Sequence, residues 1–377
     1  MDFLEVKIEK LIWRGRGLGR KANGQVVIVD PLVLPSETVR VKVYKAKKDH
    51  LLAIPVEILN SSKKRRIHPC VYASECGGCK FGSISVKLGT KLKLAILKDA
   101  FKRFDFLNYK DVPISTLPSP KGWRYRHRGQ VFIHRHLPGF KKLGSHEFVP
   151  IKDCLLFTAN LGKNLVKLAR KKSDGRYSVI SNGEDLAIEG DNKELKFFLP
   201  KIPLVFLFSA EHFFQANWKL NQTLIDLVCS ILAQEEKIAD LYAGAGNFSL
   251  PLAFYGKKVL ALELNKNGVL LGEKTAKINN LGVNFKQVDL NRNFSCVEQF
   301  DPEAIVVDPP RMGAPALKKC VSHLKNLRKI VWISCDVVNS LRDLKPFIDV
   351  GFRLTKLYFL DMFPQTWHME VIFVLEK

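Results

Sequence analysis

No stretch of this 377-residue sequence is apolar over the length of about 18 residues that a bilayer span requires. The most apolar run, Pro203 to Phe208, is bounded by Lys201 and Ser209. A secretory leader is missing as well, since Asp2 and Glu5 stand where positive charge would be needed and no apolar core follows. These absences predict a cytoplasmic protein with no membrane partner. Internal repeats and low-complexity segments are lacking, which argues against a solenoid or a disordered tail. The eight cysteines are irregularly spaced and do not form the framework of a disulfide scaffold. Some of them are therefore expected to be ligands or catalysts. Acidic residues are scarce: 37 Asp and Glu face 60 Lys and Arg, a formal charge of +23. So basic a surface repels itself unless it meets an anion, so the partner is polyanionic, a nucleic acid or an anionic membrane surface.

What is present describes a globular protein, 46% hydrophobic and 26% charged, too long for a single ordinary core. Residues 1–60 read as a small β module. Short β-branched runs (Gln25 to Val29, Thr38 to Val43, Leu51 to Leu59) are separated by Gly15, Gly17, Gly19, Asn23-Gly24 and the Pro31–Ser36 turn. With Arg14, Arg16, Arg20 and Lys45 decorating it, this module resembles an OB-like barrel of about five strands, a fold that often meets nucleic acid. Lys63-Lys64-Arg65-Arg66 follows as a linker or an RNA-facing turn. A helix is predicted over 86–105, with Leu88, Leu92, Ile96, Ala100 and Phe104 on one face. Residues 61–205 form a mixed central domain. From 206 to 377, strands and helices alternate, which predicts a parallel, Rossmann-like α/β sheet.

In that last segment the strand Lys237 to Tyr242 runs into Ala243-Gly244-Ala245-Gly246-Asn247-Phe248, a tight turn before a helix. Glycines there let a ligand approach the backbone at the carboxyl edge of a parallel strand. A dinucleotide fold would want a third glycine at 249, where this chain has Ser249. The next strand ends in Glu263, placed to hold both hydroxyls of a ribose, and Asp289 follows the strand after it, placed for an adenine amine. An adenosine held by two acids, without a phosphate-binding fingerprint or Walker lysine, fits S-adenosylmethionine best.

Asp308-Pro309-Pro310-Arg311 ends the next strand. Amino-group methyltransferases usually carry an aromatic residue where Arg311 stands, and cytosine-C5 enzymes often a cysteine where Pro310 stands. The strand Lys329 to Ser334 then delivers Cys335 to the start of a helix, a position that eases thiol ionisation. Uracil C5 is not nucleophilic until something adds at C6. Thiolate attack at C6 supplies that, and a base must afterwards remove the C5 proton. Glu370, before the last strand, is the carboxylate assigned to that step.

These segments resemble the RNA uracil-C5 methyltransferase family, whose members share DxxxGxGxFxLxLA, DPPRxG, SC and DMFPxTxHxE. The chain reads Asp240 to Phe248, Asp308 to Gly313, Ser334-Cys335 and Asp361 to Glu370, with Phe214-Gln215-Ala216-Asn217 upstream. The resemblance covers nearly the whole chain. It implies Cys335 as nucleophile, Glu370 as base, and cofactor contacts by Gln215, Tyr242, Gly244, Gly246, Asn247, Glu263, Asp289 and Asp308. It also implies that the barrel is of the TRAM type. One departure is evident: the family usually has Asn-Pro after the nucleophile, and this chain has Asp336-Val337. An added acid there is expected to raise the thiol pKa and slow attack.

Cys70-x5-Cys76-Gly77-Gly78-Cys79 groups three thiols, and Cys154 is the candidate fourth ligand. All-thiolate sites suit zinc or an iron–sulfur cluster, and spacing alone does not choose between them. The rRNA-type members of the family carry this arrangement, so the resemblance implies a structural [4Fe–4S] cluster. Arg124, Arg126 and Arg128 in Trp123 to Arg128 alternate with aromatics, a composition suited to RNA phosphates and bases. The expectation is a monomeric S-adenosylmethionine-dependent methyltransferase acting on C5 of a uridine, with 23S rRNA preferred over the T-loop of tRNA. Two other readings are an RNA-binding assembly protein with a weakened site and a dinucleotide-dependent redox enzyme.

Overall fold

The computed structural model describes residues 3–107, 109–319 and 323–377. The chain folds into two compact units. One comprises Met1–Phe104, Lys141–Val149 and Phe363–His368; the other comprises Asp105–Phe140, Pro150–Met362 and Met369–Lys377.

The first unit contains a closed five-stranded barrel in the order Phe3–Ile12, Arg16–Arg20, Val26–Val29, His50–Asn60, Thr38–Ala46. Alternation along these strands sends Val6, Ile8, Val27, Val29, Val39 and Val41 into one apolar core. The buried carboxylate of Glu37 accepts from Arg65 Nε (2.7 Å) and from the backbone amides of Leu34 (2.7 Å) and Ser62 (3.2 Å). Arg65 of the basic linker is thereby committed to the barrel. The helix Val86–Phe101 starts at Ser85, whose Oγ accepts from Leu88 N (3.3 Å). It is shorter than predicted, and its buried face includes Lys93 beside Ile96, Leu97, Ala100 and Phe101. Lys93 is tolerated there because its Nζ donates to Phe363 O (2.8 Å), satisfying the ammonium on a carbonyl rather than in water.

The second unit is built on an eight-stranded sheet. Its order is Val283–Gln287, Lys258–Glu263, Lys237–Leu241, Ala304–Val307, Lys329–Ser334, Glu370–Glu376, Arg353–Leu360, Ile114–Leu117. The first five strands are parallel, and Glu370–Glu376 is antiparallel to both of its neighbours. The parallel strands read as continuous apolar runs because the sheet is buried on both faces. Among its helices are Trp218–Ile231, Lys266–Ile278 and Val337–Asp349. Ile114–Leu117 completes the sheet by pairing parallel with Arg353–Leu360. Much of the predicted central segment, Asp105–Phe140 and the residues from Pro150 onward, lies in the same unit as this sheet.

A smaller antiparallel sheet contains Leu186–Ile188, Gly175–Ser181, Arg128–His134 and Leu137–Lys141 in that order. Beside it, the hairpin Leu195–Phe198/Val205–Phe208 gathers Phe197, Phe206, Phe208, Phe214 and Trp218, with Phe208 stacked on Phe214 at 4.3 Å. That aromatic core fixes both sides of Gln215. No helix among the described residues is long and apolar enough to cross a membrane.

Candidate active site at the carboxyl edge of the large sheet

Strand register lines up the predicted residues on one edge. Leu241 pairs with Leu262 on one side and with Val307 on the other, so Tyr242, Glu263 and Asp308 are the next residues of three adjacent strands. Glu263 also pairs with Gln287, which brings Asp289 to the same edge. Ser334 pairs antiparallel with Val371, so Cys335 and Glu370 continue that register side by side. Glu370 is the first residue of the last strand rather than a residue before it.

The loop after Leu241 is shaped for a ligand. Tyr242 adopts φ 65°, a left-handed conformation that costs a non-glycine residue energy and is typical of functional turns. Gly244, at φ 57°, has no atom within 4 Å of where a Cβ would sit, leaving an open cradle. At Gly246, φ 90°, a Cβ would meet Leu250 and Phe285 at 2.9 Å, so glycine permits the close packing behind the loop. Glu263 fixes the cradle: Oε2 accepts from Gly244 N (2.9 Å) and Oε1 from Asn265 N (2.8 Å). Asn247 and Asn221 exchange amide hydrogen bonds (2.8 and 3.2 Å). Asp289 holds its own turn through Asn291 N (3.0 Å) and an ion pair with Arg292 (3.2 Å).

Deeper in the site Asp240 and Glu370 are buried and Asp308 is half-buried. Gln215 Nε2 donates to Asp308 Oδ2 (3.1 Å). Burial pushes the Asp308 carboxyl up to about 7, with the Gln215 hydrogen bond opposing it. Asp240, wholly buried, is likewise pushed up to about 7 by burial, despite accepting from Ser249 N (3.0 Å) and Oγ (2.5 Å). Glu370 is raised well above the ordinary carboxylate range, first by burial and then by the Asp308 charge, while Arg311 pulls it down. Among the described residues, none of these three acids makes an ion pair with a Lys, Arg or His. A buried cluster of acids beside an open glycine cradle fits a cationic cofactor, as the sulfonium of S-adenosylmethionine is.

Cys335 departs from the sequence expectation of an easily ionised thiol. Burial, followed by the charges of Glu370, Asp308 and Asp336, pushes it up to about 12, and Arg311 is the opposing charge. Desolvation and neighbouring carboxylates outweigh the helix terminus here. Asp336, standing in place of the family's Asn, caps the helix: its Oδ1 accepts from Asn339 N (3.3 Å). Sequence reasoning missed Asp240 and Arg311 as members of the site, although both lie inside the quoted motifs.

The thiol group is divided between the two units: Cys70, Cys76 and Cys79 belong to the first and Cys154 to the second. Cys70 N donates to His68 Nδ1 (3.0 Å), and Cys76 pairs with Lys142 in a short antiparallel bridge. Burial raises the Cys76 thiol, with the neighbouring Cys70 adding to it. Among the described residues no group of three or more His, Cys, Asp or Glu side chains is gathered to hold a metal ion. The donor chemistry of these thiols suits a soft metal centre.

The three arginines engage protein groups. Arg124 forks onto Asp153 (2.7 and 2.5 Å) and reaches Cys154 O (3.1 Å). The Arg126 guanidinium lies 6.0 Å from the Phe157 ring centroid. Arg128 donates from Nε to His212 O (2.9 Å) and sits 5.3 Å over the Phe213 ring, and burial lowers its pKa to about 10. Together with the His127 N to Ala216 O bond (2.7 Å), Arg128 braces the segment that presents Gln215.

The chain is similar to known proteins along nearly its whole length. The chain is 31% identical, over 98% of its length and 94% of the relative's, to an uncharacterized RNA methyltransferase of Bdellovibrio bacteriovorus. It is 28% identical, over 98% of its length and 94% of the relative's, to the 23S rRNA (uracil(1939)-C(5))-methyltransferase RlmD of a Shewanella species. Its fold is similar to that of the Pyrococcus abyssi tRNA (uracil-54, C5)-methyltransferase in complex with S-adenosyl-L-homocysteine. That likeness has a TM-score of 0.77 at 21% identity and covers 99% of this chain and 100% of the other. Residues 179–377 match the tRNA (Uracil-5-)-methyltransferase family, and the chain belongs to that family of S-adenosylmethionine-dependent RNA methyltransferases.

Proposed function

We propose that this protein methylates C5 of one uridine in 23S rRNA, with Cys335 as nucleophile and Glu370 as base. The observation that carries this reading is the register that sets Cys335 beside Glu370, next to Asp308 and the open cradle at Gly244. Once its thiol proton is lost, Cys335 Sγ bonds to uracil C6, and the electron pair displaced from the C5–C6 double bond makes C5 nucleophilic, able to take up a methyl group. The cofactor, when bound, supplies an electrophilic methyl group and a positive charge. Glu370 then takes the C5 proton, and the Sγ–C6 bond breaks as the double bond re-forms. For this Glu370 must be ionised, and a cation placed beside Asp308 and Glu370 favours that form. Gln215, Tyr242, Gly246, Asn247, Glu263, Asp289 and Asp308 are the cofactor contacts in this proposal, and Arg311 favours the thiolate.

The choice of 23S rRNA is supported by the names of relatives such as the Shewanella enzyme, which match along nearly the whole chain. The three-part division (barrel 1–60, central segment 61–205, methyltransferase 206–377) and a monomeric state belong to the same proposal. Contacts of Arg124, Arg126 and Arg128 with RNA would use the donors that their protein partners leave. A [4Fe–4S] cluster on Cys70, Cys76, Cys79 and Cys154 is supported by the donor chemistry and by the resemblance, and its role would be structural.

The test is methyl transfer from labelled S-adenosylmethionine to unmodified rRNA and tRNA, followed by nucleoside analysis. Label in 5-methyluridine of 23S rRNA, lost in Cys335→Ala while RNA binding persists, is the expected result. Label in tRNA alone would move the substrate to the T-loop. No label in either, with RNA still bound, would leave an RNA-binding protein.

A further inference from the structure

The helix Val337–Asp349, which begins two residues after the nucleophile, grips the turn that follows Pro310. Three of its side chains, Asn339, Arg342 and Asp343, lie at i, i+3 and i+4 and so project from one face. Asn339 Nδ2 donates to Arg311 O (2.9 Å), Arg342 reaches Met312 O (3.4 Å), and Asp343 Oδ2 accepts from Ala314 N (2.7 Å). Arg342 Nε also donates to Asp343 Oδ1 (2.9 Å), so both carboxylate oxygens are engaged. The Asp343 side chain is 1% exposed, although it is charged. The fit is close: a Cβ on Gly313, at φ 82°, would stand 2.1 Å from Asp343 Oδ2.

Burying a carboxylate is costly unless it is fully bonded, and here one of its bonds holds the turn that carries Arg311. The backbone of Arg311 is fixed on both sides, by Asn339 at its carbonyl and by the Pro310 O to Gly313 N bond (2.8 Å) across the turn. Arg311 itself is exposed, and its charge acts on both Cys335 and Glu370. The helix that starts just after Cys335 therefore also carries the clamp for the turn of Arg311.

We propose that Asp343 is a positioning residue for methyl transfer, fixing the Pro310–Ala314 turn so that Arg311 stays within electrostatic reach of Cys335 and Glu370. This rests on the proposed roles of Cys335 and Glu370, and the experiment separates the two. Asp343→Ala should lower kcat on the order of tenfold to a hundredfold, the cost of a misplaced group, with KM for RNA nearly unchanged. The pH midpoint for covalent adduct formation at Cys335 should move upward. Asp343→Asn keeps an acceptor for Ala314 N and should recover most of the rate. In an Arg311→Gln background, Asp343→Ala should cost little more, because both changes remove one effect. If Asp343→Ala fails to fold, Asn339→Ala removes only the bond to Arg311 O and should show the same pH shift in milder form. Unchanged kcat, an unmoved midpoint in either variant, or losses that multiply fully with Arg311→Gln would overturn the clamp. Full methyl transfer by Cys335→Ala would instead overturn the nucleophile assignment.

Discussion

Cys335 and Glu370 extend the antiparallel pairing of Ser334 with Val371 by one position, so the sheet itself holds the proposed nucleophile and the proposed base side by side. They lie 35 residues apart in sequence, and neither depends on a flexible loop to find the other. Such a placement supports two bond events on one face of a uracil ring, addition at C6 and proton removal at C5.

The first consequence concerns Glu370→Gln. The amide keeps the shape of the side chain but cannot accept the C5 proton, so the Sγ–C6 bond should persist after methylation. A protein–RNA species stable on a denaturing gel is expected, containing one transferred methyl per adduct, with turnover reduced at least a hundredfold. Normal turnover without an adduct would remove Glu370 from the role of base.

Asp336 makes a second prediction. As a cap it is useful, but its charge adds to the effects that push Cys335 up to about 12, and it contributes less than burial, Glu370 or Asp308. Asn caps a helix about as well as Asp and carries no charge. Asp336→Asn should therefore leave the melting temperature unchanged and speed iodoacetamide labelling of the Cys335 peptide, by less than about tenfold, the equivalent of one pKa unit. Equal labelling rates across pH would mean that the departure from Asn at this position has no electrostatic effect.

Much of this site was legible because it follows from strand ends. Glu263, Asp308 and Cys335 were found from apolar runs terminating in a polar residue, and parallel register then brought them to one edge. The five-stranded barrel was equally readable from β-branched alternation. What could not be read was burial. Lys93 looks like a solvent-facing residue in a helical pattern, and its bond to the carbonyl of Phe363, 270 residues away, is invisible in the sequence. The Cys335 thiol was expected to be acidified by a helix terminus, yet burial and then the carboxylates of Glu370 and Asp308, from two other strands, push it the other way. Nor did the sequence show the protein partners of Arg124 and Arg128, the Asp153 carboxylate and the His212 carbonyl.

The cysteine group supplies a third prediction. Cys70, Cys76 and Cys79 carry the donors that a [4Fe–4S] centre needs, with Cys154 as the fourth. Protein purified without oxygen should be brown, with broad absorbance near ~400 nm, and should contain iron. Cys76→Ser should lose most of the iron and absorbance and lower the melting temperature. A colourless protein containing zinc would assign the thiols to a different metal, and one containing neither would remove the ligand role.

Asp240 makes the last prediction, one that concerns stability rather than rate. Its carboxyl is buried without an ion pair and holds its proton up to about 7, against about 3.9 in an unfolded chain. Between those values the native state keeps a proton that the unfolded state has released, so unfolding becomes easier as pH rises through that window. The contribution is present below about 4 and lost above about 7. Asn cannot ionise, and its carbonyl can still accept from Ser249 N and Oγ. Asp240→Asn should therefore melt increasingly above the unmodified protein as pH climbs from 5 to 8, by roughly 2–4 °C for each kcal/mol restored. Asp308 titrates in the same window, so the remaining pH dependence of the variant should weaken further in Asp240→Asn/Asp308→Asn. Thermal melts of the cofactor-free protein across that range measure the difference directly. A gap that stays constant with pH would mean that Asp240 is already ionised in the native state, and that the acid cluster is satisfied before any cation binds.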